Sequence, residues 1–248
     1  MAFFSAPAMA QGRAALPALN SYAQPPFTRP EGGGLAATFV TLLNEEAMPG
    51  GARAFVESIP RRRLEAVLSE PAFQGMALFL APEFLPKAFS RPVQWSAPVM
   101  VDENLIVSVR PLAITSLDEL SGLRFGAVAG HVYRLVGPLV EAGRVKRDDA
   151  LDHVANLRKL CLGRVDFVVI SRSELAGTVP LVQCPVPLRP TAFPEPQVIV
   201  RRVAVRMADP HDEQAVLDAL ARVACSDRWL GALSALGLSS AGCSSRGR

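Results

Sequence analysis

The stretch "GRVDFVVISRSEL", from Gly163 to Leu175, holds a turn, a short apolar run and a polar exit. The run from Phe167 to Ile170 is typical of a strand that is buried on both faces of a parallel sheet. Open α/β sheets bind their ligands at the ends of such strands. The first polar residue after the run, Ser171, is therefore predicted to face a ligand-binding edge.

The segment before this strand predicts more of the same sheet. Ser116 to Glu119 has the form of a capping box, and "LRFGAVAG" after it predicts a strand and a turn. "HVYRLVGPLVEAG" predicts a helix that is interrupted at Pro138, and Asp149 is predicted to cap a further helix. Strand, helix, helix and strand of these lengths imply a parallel sheet with right-handed crossovers.

Two long strands are predicted on either side of this block. The segments Pro98 to Arg110 and Gln197 to Arg206 are rich in β-branched residues. Another α/β block precedes them, and helices at about 212–223 and 227–236 follow without strands of their own. A chain that crosses into a second sheet and returns would use the two long strands as hinges. The sequence therefore predicts an α/β fold of two lobes joined by two hinge strands.

The composition excludes several classes of partner. The chain has 248 residues, half of them apolar, and a net charge of only +3. Its single basic run, Arg61 to Arg63, has no aromatic residues between the charges, so nucleic acid is not a predicted partner. No apolar segment reaches the roughly 18 to 20 residues of a membrane-spanning helix.

The first residues suggest export. Ala8-Met9-Ala10 has the small-x-small form of a signal-peptidase site, but the residues before it are few and lack a basic region. We interpret this segment as the remnant of a truncated leader and expect an exported protein.

The four cysteines are expected to be structural. They show no CxxC spacing and no histidines at ligand spacing, so a zinc site is not predicted. In an exported protein, Cys161 and Cys184 are the expected disulfide, because both belong to the second lobe and bracket one strand-loop unit. Cys225 and Cys243 could pair only if the C-terminal tail folds back.

Common enzyme motifs are absent from the sequence. It contains no GxSxG elbow, no GxxxxGK phosphate loop, no HExxH and no GxGxxG. Neither a catalytic residue nor a cofactor is therefore predicted.

The order of several segments resembles that of a known family. These segments are "YAQPPF" with its glycine loop, "QWSAPV", "SLDELSGLRFGAVAGH", "LCLGRVDFVVIS" and the closing helices, from about Ser21 to Leu238. The chain resembles the periplasmic solute-binding proteins of the polar-amino-acid type (extracellular solute-binding protein family 3), the receptors of ABC transporters.

This resemblance implies the two-lobed, type II periplasmic-binding-protein fold, which closes on a small amino-acid-like or carboxylic acid solute. It implies a monomer in the periplasm, with the membrane subunits of an ABC transporter as partners. The corresponding division is a leader remnant and flexible N-terminus at 1–17, lobe 1 at 18–107 with 203–238, lobe 2 at 108–202 with a hinge strand at each end, and a disordered tail at 239–248.

The resemblance also assigns ligand-binding positions in the first lobe. The aromatic residues that stack on the ligand in the family fall at Tyr22 and Phe27. The region after the Gly-Met pair supplies Ala77, Phe79 and Phe84 to the site. The family's arginine for the ligand carboxylate has no counterpart in that region.

In the second lobe, the resemblance assigns Gly130, His131 and Ser171 to the site. Ser171 stands where the family has an aspartate that holds the ligand's ammonium group. The turn at Gly130 is predicted to open a helix, whose free amides would bind an anion together with a protonated His131. A zwitterionic amino acid would leave buried charge uncompensated. We therefore expect a less charged or purely anionic solute, such as an aromatic or other carboxylic acid.

Three alternatives stay open. Some proteins of this fold are dehydratases of cyclic prephenate-like acids, and Glu83 or His131 would then have to be the general acid. A domain that senses a ligand without transport is the second alternative. The third is that the charges come from new positions, namely Arg91, Arg172 or Glu83.

Overall fold

A computed structural model describes residues 15–29, 31–84, 93–241 and 243. The described chain alternates strands and helices, mostly as the apolar patterns predict. The elements, in chain order, are β1 (Ala15–Asn20), α1 (Leu35–Leu43), β2 (Arg53–Ser58), α2 (Arg61–Ser69), β3 (Gly75–Leu80), β4 (Gln94–Trp95), β5 (Met100–Ser108), β6 (Arg124–Val128), α3 (Gly137–Glu141), β7 (Lys146–Ala150), α4 (His153–Cys161), β8 (Phe167–Ser171), α5 (Arg172–Thr178), β9 (Arg189–Arg206), α6 (Pro210–Ala224) and α7 (Asp227–Ser234).

The strands form one continuous ladder with the order β2-β1-β3-β9-β5-β8-β6-β7, and β4 pairs with β9 beside it. The outer pairs are parallel: β1 with β2 and β3, and β6 with β7 and β8. The two long central strands are antiparallel to their neighbours. Parallel strands therefore lie on both sides of an antiparallel centre.

The centre of the ladder is where the two lobes are joined. β9 pairs with β3 through residues 202–206 and with β5 through residues 189–192 and 197–201. Two apolar clusters draw on residues 16–100 and 203–238, and two others draw on residues 105–193. Because β5 and β9 run between the two groups, the predicted fold of two lobes joined by two hinge strands is confirmed.

The segment after Gly130 differs from its prediction. Residues 131–136 are not helical, and α3 begins only at Gly137, with Pro138 in its first turn. Proline suits that position, because its missing N–H would have no partner there in any helix. Pro138 therefore starts a short helix instead of interrupting a long one. Asp149 lies in β7, and the helix that follows is capped by Asp152, whose side chain accepts a hydrogen bond from the Ala155 amide.

The ends of the described chain are also more ordered than predicted. Ala15 already belongs to β1 and pairs with Arg53 of β2. At the other end, Ser239 forms a bridge with Val101, so the expected disordered tail does not begin at residue 239. Residues 1–14, with the proposed leader, lie outside the described residues.

Both candidate disulfides are present. Cys161 bonds to Cys184 with a Cα–Cα distance of 5.3 Å, as expected, and links the end of α4 to the loop before β9. Cys225 bonds to Cys243 at a Cα–Cα distance of 5.4 Å. Both distances suit a disulfide. The condition for the second pair, a tail that folds back, is met by the bridge at Ser239.

Candidate functional site

A buried ion pair lies between the two hinge strands. Asp102 of β5 and Arg201 of β9 have side-chain exposures of 0% and 3%. Both Nε and Nη2 of Arg201 donate to Oδ2 of Asp102, at 3.1 and 2.9 Å. Met100 lies opposite Arg201 in the ladder, so the ion pair is a diagonal pair on one face of the sheet.

The first lobe surrounds the free side of the Arg201 guanidinium. Nη1 donates to the Tyr22 hydroxyl at 2.6 Å and to the Phe79 carbonyl at 3.3 Å. The guanidinium carbon is 4.8 Å from the centre of the Tyr22 ring and 5.1 Å from that of Phe27. Both distances are within the range of cation–π attraction. Burial alone would lower the pKa of Arg201, but Tyr22 and Asp102 outweigh it and raise the pKa above its ordinary value.

The backbone conformation at Phe79 and the hydrogen bonds made by Asn20 explain why Phe79 and Tyr22 contact Arg201. Phe79 has φ +58°, in the left-handed region that a phenylalanine rarely adopts, beside a register shift in β3. Such a backbone costs about 1–3 kcal/mol. Here it turns the Phe79 carbonyl toward both the Tyr22 hydroxyl and Arg201. Tyr22 is fixed in turn by Asn20, which accepts a hydrogen bond from its amide and donates one to its carbonyl.

The second lobe reaches the same ion pair through α5. Asp102 accepts hydrogen bonds from the Ser173 amide at 3.1 Å and from the Ser173 hydroxyl at 2.6 Å. Ser171 is only 2% exposed, and its hydroxyl oxygen lies 3.1 Å from that of Ser173. Ser171 also caps α5 and donates to the Glu174 carboxylate at 2.7 Å. Asp102, Arg201, Tyr22, Ser173, Ser171 and Glu174 thus form one continuous network, which we call the hinge network.

The lobes also touch beside the hinge network. A Cβ atom on Gly177 of α5 would lie 2.5 Å from the Pro25 carbonyl carbon and 2.8 Å from its oxygen. Real Cβ atoms do not approach backbone atoms this closely, so only glycine fits at this contact. Nη2 of Arg134 also donates to the Glu83 carbonyl, at 2.6 Å. Loops of one lobe therefore lie directly against the other.

The turn at Gly130 and His131 has a different character. Both residues are exposed, and the His131 amide already donates to the Val128 carbonyl at 3.1 Å. The imidazole lies 4.5 Å from the Tyr133 ring, and crowding by protein atoms lowers its pKa below 6.5. Because α3 begins only at Gly137, the predicted anion pocket of helix amides and protonated histidine was wrong.

The eight predicted site residues therefore fall into distinct places. Tyr22, Phe27 and Phe79 contact Arg201, and Ser171 belongs to the hinge network. Ala77 is fully buried in an apolar cluster with Leu19 and Leu80. Gly130 and His131 occupy the exposed turn described above. Phe84 ends a short 3₁₀ turn, and its side chain is outside the described residues, as is Arg91.

Four members of the hinge network were not predicted from the sequence: Asp102, Arg201, Ser173 and Glu174. Asp102 and Arg201 did carry a signal, because each is a charged residue inside a segment that was predicted to be a hinge strand. Charges of opposite sign on two strands that both span the lobes are candidates for a buried pair. Ser173 and Glu174 follow Ser171, the first polar residue after the predicted strand, by only two and three residues.

The described residues show neither a metal centre nor a membrane span. No group of three histidine, cysteine or acidic side chains in the described ranges could hold a metal ion. None of the helices seen there has both the length and the apolar character needed to cross a bilayer.

The sequence matches no protein-family model, and it matches no curated protein. Comparison with solved structures is more informative. An ancestral arginine-binding protein bound to arginine has 16% identity, covers 90% of this chain and 97% of its own, and has a TM-score of 0.63. An ancestral amino-acid-binding protein, a precursor of cyclohexadienyl dehydratase, has 17% identity, coverages of 89% and 94%, and a TM-score of 0.63.

The BvgS periplasmic domain of B. pertussis has 16% identity and a TM-score of 0.65, and the match covers 90% of this chain and 42% of that one. At these identities the likeness concerns the fold alone. The chain therefore has the fold of the periplasmic amino-acid-binding proteins.

Proposed function

We propose that this protein is an extracytoplasmic receptor that closes on a small solute between its two lobes. The observation that carries the proposal is the hinge network, in which side chains from both lobes meet at one buried ion pair on the hinge strands. Hinge closure around a ligand is the usual motion of this architecture. The solved structures with this fold include amino-acid-binding proteins of ABC transporters.

The charges of the hinge network favour a solute that is not a free amino acid. Four hydrogen bonds join the Arg201 guanidinium to Asp102, Tyr22 and Phe79, so its charge is already compensated inside the protein. A buried zwitterion would need a further pair of fixed charges. Arg172, one alternative source of charge, is paired with Glu103.

The solute should therefore be less charged than a free amino acid. The case for a purely anionic solute is weaker than the sequence suggested. Burial by surrounding protein atoms lowers the pKa of His131 and so disfavours its charged form, and no helix starts at that turn.

The remaining features of the proposal follow the resemblance. We propose that lobe 1 comprises residues 18–107 with 203–238, and that lobe 2 comprises residues 108–202. The protein would act in the periplasm as a monomer and deliver its solute to the membrane subunits of an ABC transporter. A sensing role without transport is the second candidate, favoured by the likeness to the BvgS periplasmic domain.

An enzymatic role is less well supported. A dehydratase needs a protonated acid beside the leaving hydroxyl group. The lowered pKa of His131 disfavours the protonated form that a general acid needs, and Glu83 is exposed. Release of the aromatic ring product from prephenate or arogenate would show that the enzymatic alternative is correct.

A thermal-shift screen tests the receptor proposal directly. The panel contains free amino acids, carboxylic acids, sugars and polyamines. A specific solute stabilises the folded protein in proportion to the logarithm of its concentration over Kd. Scattering with the best solute should then show a more compact molecule. The proposal fails if no compound in a broad panel raises Tm, or if the compound that does leaves the molecular dimensions unchanged.

A further inference from the structure

Arg201 is surrounded like a bound ligand. The edge of its guanidinium faces the Asp102 carboxylate, the Tyr22 hydroxyl and the Phe79 carbonyl. The two aromatic rings beside it, Tyr22 and Phe27, have centres only 4.4 Å apart, so both rings contact the same cation. A carboxylate, neutral oxygen acceptors and aromatic surface together satisfy the charge, donors and flat shape of a guanidinium.

The groups around the guanidinium are held by contacts that do not involve Arg201. Asp102 is fixed by the Ser173 amide and hydroxyl and by the Glu103 amide. Tyr22 is fixed by Asn20. Phe79 packs against Phe39 and Trp229 as well as Phe27. Truncation of Arg201 would therefore leave a shaped cavity with a carboxylate on its wall.

We infer that the side chain of Arg201 occupies a guanidinium-binding site built into the hinge region, and that it excludes cationic solutes from this site. With Arg201 in place, a second cation would meet a carboxylate that is already paired, and its own positive charge would have no partner. Arg201 is thus a specificity-determining residue. Without it, the same site should accept a free guanidinium or alkylguanidinium ion.

The test is chemical rescue of Arg201→Ala. The thermal stability of this variant is measured with millimolar guanidinium or methylguanidinium, far below denaturing concentrations, and with equal urea. Urea is planar and of similar size but carries no charge. At a hundredfold excess over Kd, guanidinium should raise Tm by roughly 5–10 °C, whereas urea should not raise it.

Two further variants test whether rescue by guanidinium depends on the site around Arg201. Arg202→Ala removes the neighbouring arginine, which is on the opposite face of β9 and donates to the Ser96 carbonyl. Neither this variant nor the wild type should gain stability from guanidinium. In Asp102→Asn/Arg201→Ala the carboxylate is gone as well, so this variant should fold more readily than Arg201→Ala and should show no rescue.

If Arg201→Ala does not fold alone, folding in the presence of guanidinium but not urea would support the inference. The inference would be overturned if neither guanidine compound stabilised or refolded the variant, or if Arg202→Ala responded equally. Either result concerns Arg201 alone. The proposed receptor function would stand or fall separately, on whether the wild type binds a solute.

Discussion

Two regions of the molecule contain residues that were predicted to bind a ligand, and the two regions differ in burial and in the pairing of their charges. The hinge network connects both lobes and is centred on the buried ion pair of Asp102 and Arg201. The turn at Gly130 and His131 is exposed, and its one histidine has a lowered pKa. Polar groups are expensive to bury unless they are paired, so the hinge network is the region where substitution should have the larger consequences.

The largest expected effect is the loss of one partner of the buried ion pair. Arg201→Ala should lower the free energy of unfolding by about 3–5 kcal/mol, because it leaves the Asp102 carboxylate buried and unpaired. His131→Ala, in the exposed turn, should change it by less than about 0.5 kcal/mol at neutral pH. Urea denaturation of both variants measures the contrast. Equal effects would show that the two regions do not differ in this way.

A substitution at the contact between the lobes should have the next largest effect on the free energy of unfolding. In Gly177→Ala the added methyl group would meet the backbone of Pro25 and Pro26, so the lobes must move apart or α5 must shift. We expect a loss of about 1–3 kcal/mol, as for other overpacked sites, and a larger radius of gyration in scattering.

Gly231→Ala is the matched control for this substitution, because Gly231 is also helical but faces open space. It should leave the molecular dimensions unchanged and raise stability by roughly 0.5–1 kcal/mol. If Gly177→Ala kept both its full stability and an unchanged radius of gyration, the close contact between the lobes would be contradicted.

A moderate effect is expected at Ser171, which both caps α5 and donates to Glu174. Ser171→Ala should cost about 0.5–2 kcal/mol, the usual value for a lost N-cap. Ser171→Asp restores an acceptor for the helix amides but places a second carboxylate beside Glu174, so it should be no better than alanine. If aspartate restored full stability, the role of Ser171 would be capping alone.

The smallest expected effect is a change in the pH dependence of stability at His131, in the exposed turn. Crowding keeps the pKa of His131 below 6.5 in the folded protein, so between the folded and unfolded pKa values the unfolded chain binds the additional proton. Stability contributed by the neutral imidazole is present above that range and is lost as the pH falls through it. His131→Gln should therefore lose less stability than the wild type between pH 7.5 and 5.5. An identical loss in both proteins would contradict this assignment.

The sequence predicts the elements of this fold better than it predicts the contacts between them. The apolar run from Phe167 to Ile170 identified β8, because a strand buried on both faces needs continuous apolar residues. The segment 131–136 was misjudged, since Tyr133 and Val136 have helical spacing but are buried by the packing of a loop. Periodicity cannot distinguish these cases over so few residues.

The contact between Asp102 and Arg201 could not be predicted from the sequence, for a different reason. The two residues are 99 positions apart, and their contact depends on the register of two long strands with an irregularity between residues 104 and 105. A shift of one residue would turn either side chain to the other face. The resemblance assigned Tyr22, Phe27 and Phe79 to a ligand site, but it gave no sign that an internal arginine would contact them.

Calorimetry on the wild-type protein tests the central claim most directly, namely that a self-compensated ion pair makes this fold a receptor for something other than a free amino acid. The titrants are the twenty amino acids and the best compound from the thermal-shift screen. We predict micromolar binding of the screened solute and no measurable heat from any amino acid. Micromolar binding of an ordinary amino acid would contradict the account.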